Sequence, residues 1–163
     1  MDDYETVFRA EHDAIVRTAF LVTGDRETAR EVAQDAFAEL HRHWRTVRGY
    51  DKPGAWLRRV AIRRAVRVRQ ARSRRPEADL PADVPAPAAP EVDAELLASL
   101  RQLSPAQRAA IVLHYFEDRP VTEVADLLGC KPATASVHLH RARVRLAELL
   151  GERDEEVDVD VPG

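Results

Sequence analysis

Cysteine is almost absent from this chain: Cys130 is the only one in 163 residues. That excludes an internal disulfide framework and fits a reducing compartment. Glycine numbers only six and aromatics make up 6%, so no Gly-rich phosphate-binding loop is present and each core must be modest. No nucleophile–base set is visible, and neither a catalytic site nor a cofactor is expected. Long apolar runs are missing too. Stretches such as "AAIVL" are far too short to span a bilayer, so no membrane insertion is expected. The opening "MDDYETVF" lacks the basic region and apolar core of a signal peptide. The expectation is a soluble cytoplasmic protein of one medium domain or two small ones.

Charge of one sign is missing locally rather than globally. The formal net charge is only −3. Yet from His41 to Arg75 thirteen Lys/Arg stand against a single acid, Asp51. Residues 76–99 carry six acids and no base, and residues 152–163 carry six acids beside Arg153. A basic block between acidic segments predicts contact with a polyanion, with the acidic parts free to compete for the same surface.

What is present is helical periodicity. Tyr4, Val7, Phe8, Ile15, Ala19 and Leu21 predict one or two helices ending at "TGD". Asp25 caps a helix from about Arg26 to Trp44, with Val32, Ala36, Phe37, Leu40 and Trp44 on one stripe. "GYDKPG" (49–54) reads as a loop before a third long helix from Ala55 to about Arg72. Residues 76–90, "PEADLPADVPAPAAP", hold five of the ten prolines and predict an extended linker. Beyond it, helices are expected at 92–102, at 105–117 behind a Ser104 cap and Pro105, at 121–128 and at 132–150. The closing "ERDEEVDVDVPG" reads as a disordered acidic tail. Nothing alternates with strand period. The expected fold class is all-α: two small helical domains, 1–75 and 92–151, joined by a Pro-rich acidic linker at 76–91 and followed by a tail at 152–163.

"VTEVADLLGCKPATASVHLHRARVRL" has helix-turn-helix form. Thr122 precedes a short helix with Val124, Ala125 and Leu128 inward, Gly129 frees the turn, and Lys131-Pro132 opens the second helix. Ala135, Leu139, Ala142, Leu146 and Leu149 share one side of that helix, and Val137, His140, Arg141 and Val144 lie opposite. No acid appears from Ala133 until Glu148, whereas an ordinary solvated face mixes acids with bases. The pattern points to a recognition helix in a DNA major groove, against the plainer reading of a helical hairpin around a glycine. The six histidines suggest no metal site: His41/His43 and His138/His140 are two apart, about 200° around a helix, and do not chelate from one face. Cys130 reads as a small buried residue of the turn.

"LSPAQRAAIVLHYFEDRPVTEVADLLGCKPATASVHLHRARVRLAELL" resembles region 4 of the sigma-70 superfamily, especially of extracytoplasmic-function (ECF) sigma factors. "TGDRETAREVAQDAFAELHRHW" followed by "KPGAWLRRVAIRRAVRVRQ" resembles region 2. The resemblance covers about residues 5–75 and 95–150, with the linker where that family places one. It implies a polymerase subunit that recognises and helps melt a promoter, breaking no substrate bond itself. Core RNA polymerase, through its β′ coiled coil and β flap, and promoter DNA are the implied partners. An anti-sigma factor is a common further one.

Residue by residue, the resemblance places Glu31, Gln34, Asp35 and Glu39 against the β′ coiled coil; read alone, they are a solvated helix face. It places Tyr50, Trp56, Arg59, Arg63, Arg64 and Arg67 at the −10 element and melting surface, with Trp56 either stacking on an unpaired base or belonging to the core. Lys131, Thr134, Ser136, Val137, His138, His140, Arg141 and Arg145 fall on the −35 reader. Val137 suits a thymine methyl, and Arg141 a guanine or phosphate. Arg63 stands where the family commonly has Asn, and Arg67 where it has an acid, which trades base discrimination for phosphate affinity. Those departures keep open a sigma-like decoy that occupies polymerase without opening promoters. A helix-turn-helix regulator is the other alternative. The charge map suggests that the acidic tail or linker folds back on the basic helix.

Overall fold

In the computed structural model, residues 3–73 and 94–151 are described, and all of their regular structure is helical. The expected linker at 76–91, the tail at 152–163 and the arginines at 74 and 75 lie outside these residues, as does any role of linker or tail in covering the basic helix. Four helices form the first half: α1 (Tyr4–Thr23), α2 (Arg26–Arg42), the single turn α3 (Trp44–Val47) and α4 (Pro53–Ser73). The second half has α5 (Ala94–Arg101), α6 (Pro105–Ile111) running into a π-helical turn (Val112–Phe116), α7 (Val121–Leu128) and α8 (Pro132–Gly151).

Local chemistry sets the ends. Asp3 caps α1, accepting from the Thr6 amide at 2.8 Å. Gly24 ends it in the left-handed region at φ 78°, its amide donating to the Phe20 carbonyl. Asp25 caps α2 as expected, through the Thr28 amide at 3.0 Å. That helix stops at Arg42 rather than Trp44, because His43 leaves the helical path and turns the chain into α3. Pro53 starts α4 two residues before the expected Ala55, its fixed φ and missing N–H suiting a first turn. Ser104 and Gln107 form a capping box with Pro105 at the start of α6. The helix expected through residue 117 gives way at Val112 to π geometry, with Asp118 at φ 53°. That wider turn lets His114 Nδ1 meet the Arg119 carbonyl at 2.8 Å.

Two apolar clusters hold the chain. One lies within the first half and includes Val7, Ile15, Phe37, Leu40, Leu57 and Ala61. The other is shared: Phe20, Leu21, Val22, Ile62 and Val66 pack in one cluster with Leu100, Leu113, Val124 and Leu139. The two halves therefore sit on each other through α1 and α4 on one side and α6, α7 and the π turn on the other. Arg108 is wholly buried at this junction, its Nε donating to the Leu21 carbonyl.

Candidate nucleic-acid and polymerase interfaces

The helix-turn-helix begins with α7, which buries Val124, Ala125 and Leu127; Leu128, expected inward, is half-buried. Gly129 takes φ 70°, and the Cys130 amide closes the turn onto the Ala125 carbonyl at 2.9 Å. Cys130 is half-buried, and burial raises its thiol pKa, so it is no exposed thiolate. Ala135, Leu139 and Ala142 of α8 are fully inside, with Leu146 and Leu149 half-buried behind them. Lys131, Thr134, Ser136, Val137, His140, Arg141 and Arg145 are exposed and His138 is half-buried. At about 100° per residue, Thr134, Val137, Arg141 and Arg145 fall within one arc of about 80°. Ser136 and His140 project from the flank beyond Val137. Arg145 is paired with Glu148 at 3.1 Å, whereas Arg141 and Lys131 have no ion pair among the described residues. Arg143 faces away from that arc, bonded to the Tyr115 hydroxyl with its guanidinium 5.4 Å from the ring centroid.

In the first half, α4 sets Trp56, Arg59, Arg63 and Arg67 along one side at helical spacing. Trp56 is half-buried against the first-half cluster, its ring 5.8 Å from that of His43, so it belongs to the rim of the core. Tyr50 stands out of the preceding loop, 47% exposed. Arg64 leaves this side and reaches Asp35 of α2 at 3.6 Å. Two further arginines of α4 are structural. Arg58 grips Glu11 through two bonds of 2.7 and 2.9 Å, which raise its pKa, and Arg72 lies 3.6 Å from the α2 cap Asp25.

The α2 face opposite the buried Val32, Ala36 and Leu40 carries Glu31, Gln34 and Asp35, all exposed, with Glu39 half-buried and bonded to Arg42 at 2.9 Å. The four positions assigned to polymerase thus share one face. The ion pair of Asp35 with Arg64 links it to the basic helix.

Comparison with known proteins decides what these surfaces belong to. Residues 7–75 match the family "Sigma-70 region 2", and residues 93–146 match "Sigma-70, region 4". The RNA polymerase sigma-E factor of Streptomyces coelicolor is 33% identical over 157 residues, spanning 93% of this chain and 88% of that protein. This chain belongs to the ECF group of the sigma-70 family. The ECF RNA polymerase sigma factor SigM of Mycobacterium tuberculosis is 29% identical, spanning 91% of this chain and 77% of that protein. Among solved structures, the sigma factor RpoE in complex with the anti-sigma factor NepR from Bartonella quintana shares the fold, with a TM-score of 0.71. It is 24% identical and covers 97% of this chain and 99% of that one.

The contacts between the two sets of surfaces carry no signal in the sequence. Asp126, at the end of α7, lies 2.5 Å from Arg59, and its carbonyl accepts from Arg63 at 3.1 Å. Thr18 of α1 donates to the Glu117 carboxylate at the end of the π turn. Burial raises the Glu117 pKa, against the lowering pull of Arg119, Arg58 and Arg17. Arg108 was given no role in the sequence, and the structure buries it completely. Its place one residue before the buried Ala109 and four before the buried Val112 is the signal that could have found it. Among the described residues no group of three His, Cys, Asp or Glu is placed to hold a metal ion, and no helix is long and apolar enough to cross a membrane.

Proposed function

We propose that this sigma factor binds core RNA polymerase through the α2 face of Glu31, Gln34, Asp35 and Glu39, reads the −35 element with α8 and engages the −10 element with α4. The observation that carries this reading is the division of exposed residues. An acidic face, an arginine-lined helix and an acid-free recognition arc occur on three separate elements of one chain, in the order the family requires. Thr134, Val137 and Arg141 enter the major groove, with Lys131 on a phosphate. Arg59, Arg63 and Arg67 hold the backbone of the −10 strand, and Tyr50 is the exposed ring available for base stacking. Trp56 supports that helix from the rim of the core. The protein contributes binding and strand separation in the cytoplasm, while polymerase performs the chemistry. An anti-sigma factor fits as a further partner, since the neighbour of like fold is held by one.

Run-off transcription by purified core polymerase on pooled genomic fragments tests the proposal. Discrete new starts sharing two spaced upstream motifs are expected only when the protein is added. Polymerase binding without starts would favour the decoy reading, for which the extra positive charge at Arg63 and Arg67 speaks. Duplex binding without polymerase binding would return the protein to an ordinary helix-turn-helix regulator.

A further inference from the structure

Three arginines from three helices act on one another at the far end of α4: Arg69 of α4, Arg101 of α5 and Arg108 of α6. Arg108 is wholly buried. Its guanidinium lies against the turn between α1 and α2, where a Cβ on Gly24 would come within 3.1 Å of Nη1. Its Nε donates to the Leu21 carbonyl, but Nη1 and Nη2 have no hydrogen-bond partner among the described residues. Arg69 repeats the pattern, with a buried Nε that is equally unpartnered. Asp25, next to Gly24 in the chain, is held by the Thr28 amide at 3.0 Å and lies 3.6 Å from Arg72. No ion pair reaches Arg69, Arg101 or Arg108 among the described residues.

A charge shut away from water is costly unless it is paired, and an arginine does not escape that cost by losing its proton at neutral pH. Burial, and then repulsion from Arg69 and Arg101, lowers the Arg108 pKa, so each arginine makes the others harder to keep charged. A planar guanidinium edge matches the oxygens of a tetrahedral oxyanion two at a time, and such an ion carries the charge that this set lacks. We propose that Arg69, Arg101 and Arg108 form a binding site for a small phosphate-type oxyanion, with Arg108 as its buried floor. Access is graded: Arg108 is enclosed, Arg69 half-buried and Arg101 exposed. The ion therefore enters from the Arg101 side and exchanges its water for the orphaned N–H groups of Arg69 and Arg108. Enclosure favours a bare ion over an esterified one, whose substituent would have to share the buried space. Arg69 lies about 200° around α4 from Arg67, so this site is separate from the side lined by Arg59, Arg63 and Arg67.

The test follows thermal unfolding of the full chain at pH 7 in about 10 mM sodium phosphate, against sodium chloride of matched ionic strength. Three charge-assisted bonds of ordinary strength correspond to a Kd of about 1 mM, so phosphate should raise the midpoint by about 4 °C over chloride. Arg108→Met should lose that increment, and what remains in the variant measures any general salting effect of phosphate. Arg69→Gln should cut the increment to about half, and it carries the test alone if Arg108→Met does not fold. Arg67→Gln, which removes a cation from the exposed side of the same helix, should keep it in full. Phosphate titrations followed by phosphorus NMR should show saturable binding to the wild type that Arg108→Met abolishes. Ribose 5-phosphate, the same anion with a bulky substituent, should give less than half the increment of inorganic phosphate. Absence of a phosphate increment in the wild type overturns the proposal. So does an increment retained in full by Arg69→Gln and Arg108→Met, or an equal response to ribose 5-phosphate, which would put the anion on open arginines instead. No arm needs polymerase or a promoter, so the result stands apart from that of the run-off experiment.

Discussion

At the scale of single residues, the sequence shows charge but not its surroundings. Arg59, Arg63, Arg108 and Arg141 look alike in the sequence, but one is wholly buried, two are held by Asp126, and Arg141 is exposed without an ion pair among the described residues. Glu117 was legible only as part of an acidic "YFED" segment, because the π turn that carries it to Thr18 has no sequence signature. Its raised pKa makes a pH prediction. A carboxyl whose folded pKa lies above its unfolded value contributes stability that is fully present below the ordinary glutamate value of 4.5 and is lost as pH rises through the folded value. Glu117→Gln keeps an acceptor for the Thr18 hydroxyl and removes the half-buried charge. At pH 7 it should raise stability by about 1 kcal/mol, and the gain should vanish near pH 4. Urea unfolding at the two pH values checks this, and an equal effect at both would show that the carboxylate is not penalised by burial.

At the scale of helices, most of the architecture was readable because each element carries its own signals. Asp25, Ser104-Pro105, Gly129 and Pro132 mark ends by donor and acceptor chemistry that acts locally, and the structure places them where expected. The misplaced end at Arg42 follows from His43, which leaves the helical path and turns the chain into α3, where Val47 joins the first-half cluster. The recognition helix was legible in the same way, since its buried stripe and exposed arc both follow from a 3.6-residue period. Arg141 and Arg143, two of its three arginines, make different predictions although they lie two residues apart. Arg141 lies in the exposed arc, so Arg141→Ala should weaken binding to a promoter fragment by about 1–3 kcal/mol and flatten the salt dependence by about one charge if it contacts phosphate. Arg143 is occupied by Tyr115, and Arg143→Ala should cost less than about 0.5 kcal/mol in DNA affinity. Fluorescence anisotropy over a range of salt concentrations separates the two; equal losses would mean that the arc has been misassigned.

At the scale of the whole molecule, the division of the chain at its proline-rich stretch was plain, but the contact between the parts was not. Phe20, Leu21, Val22, Ile62 and Val66 read as ordinary stripe residues, because a helix buries its apolar side in the same pattern whichever partner covers it. Arg108 records what that contact costs. Burial first, and then repulsion from Arg69 and Arg101, pulls its pKa well below the usual guanidinium range. A base whose folded pKa is depressed destabilises the folded form at every pH at which it carries its charge. Arg108→Met retains an unbranched apolar stem of similar reach and removes the charge, at the loss of one bond to the Leu21 carbonyl. Since a buried hydrogen bond is worth about 1 kcal/mol and replacing a buried charge by a packed apolar side chain commonly gains 1–4 kcal/mol, the variant should be more stable at pH 7. A lower midpoint for Arg108→Met at pH 7 would mean that the guanidinium finds an acceptor outside the described residues.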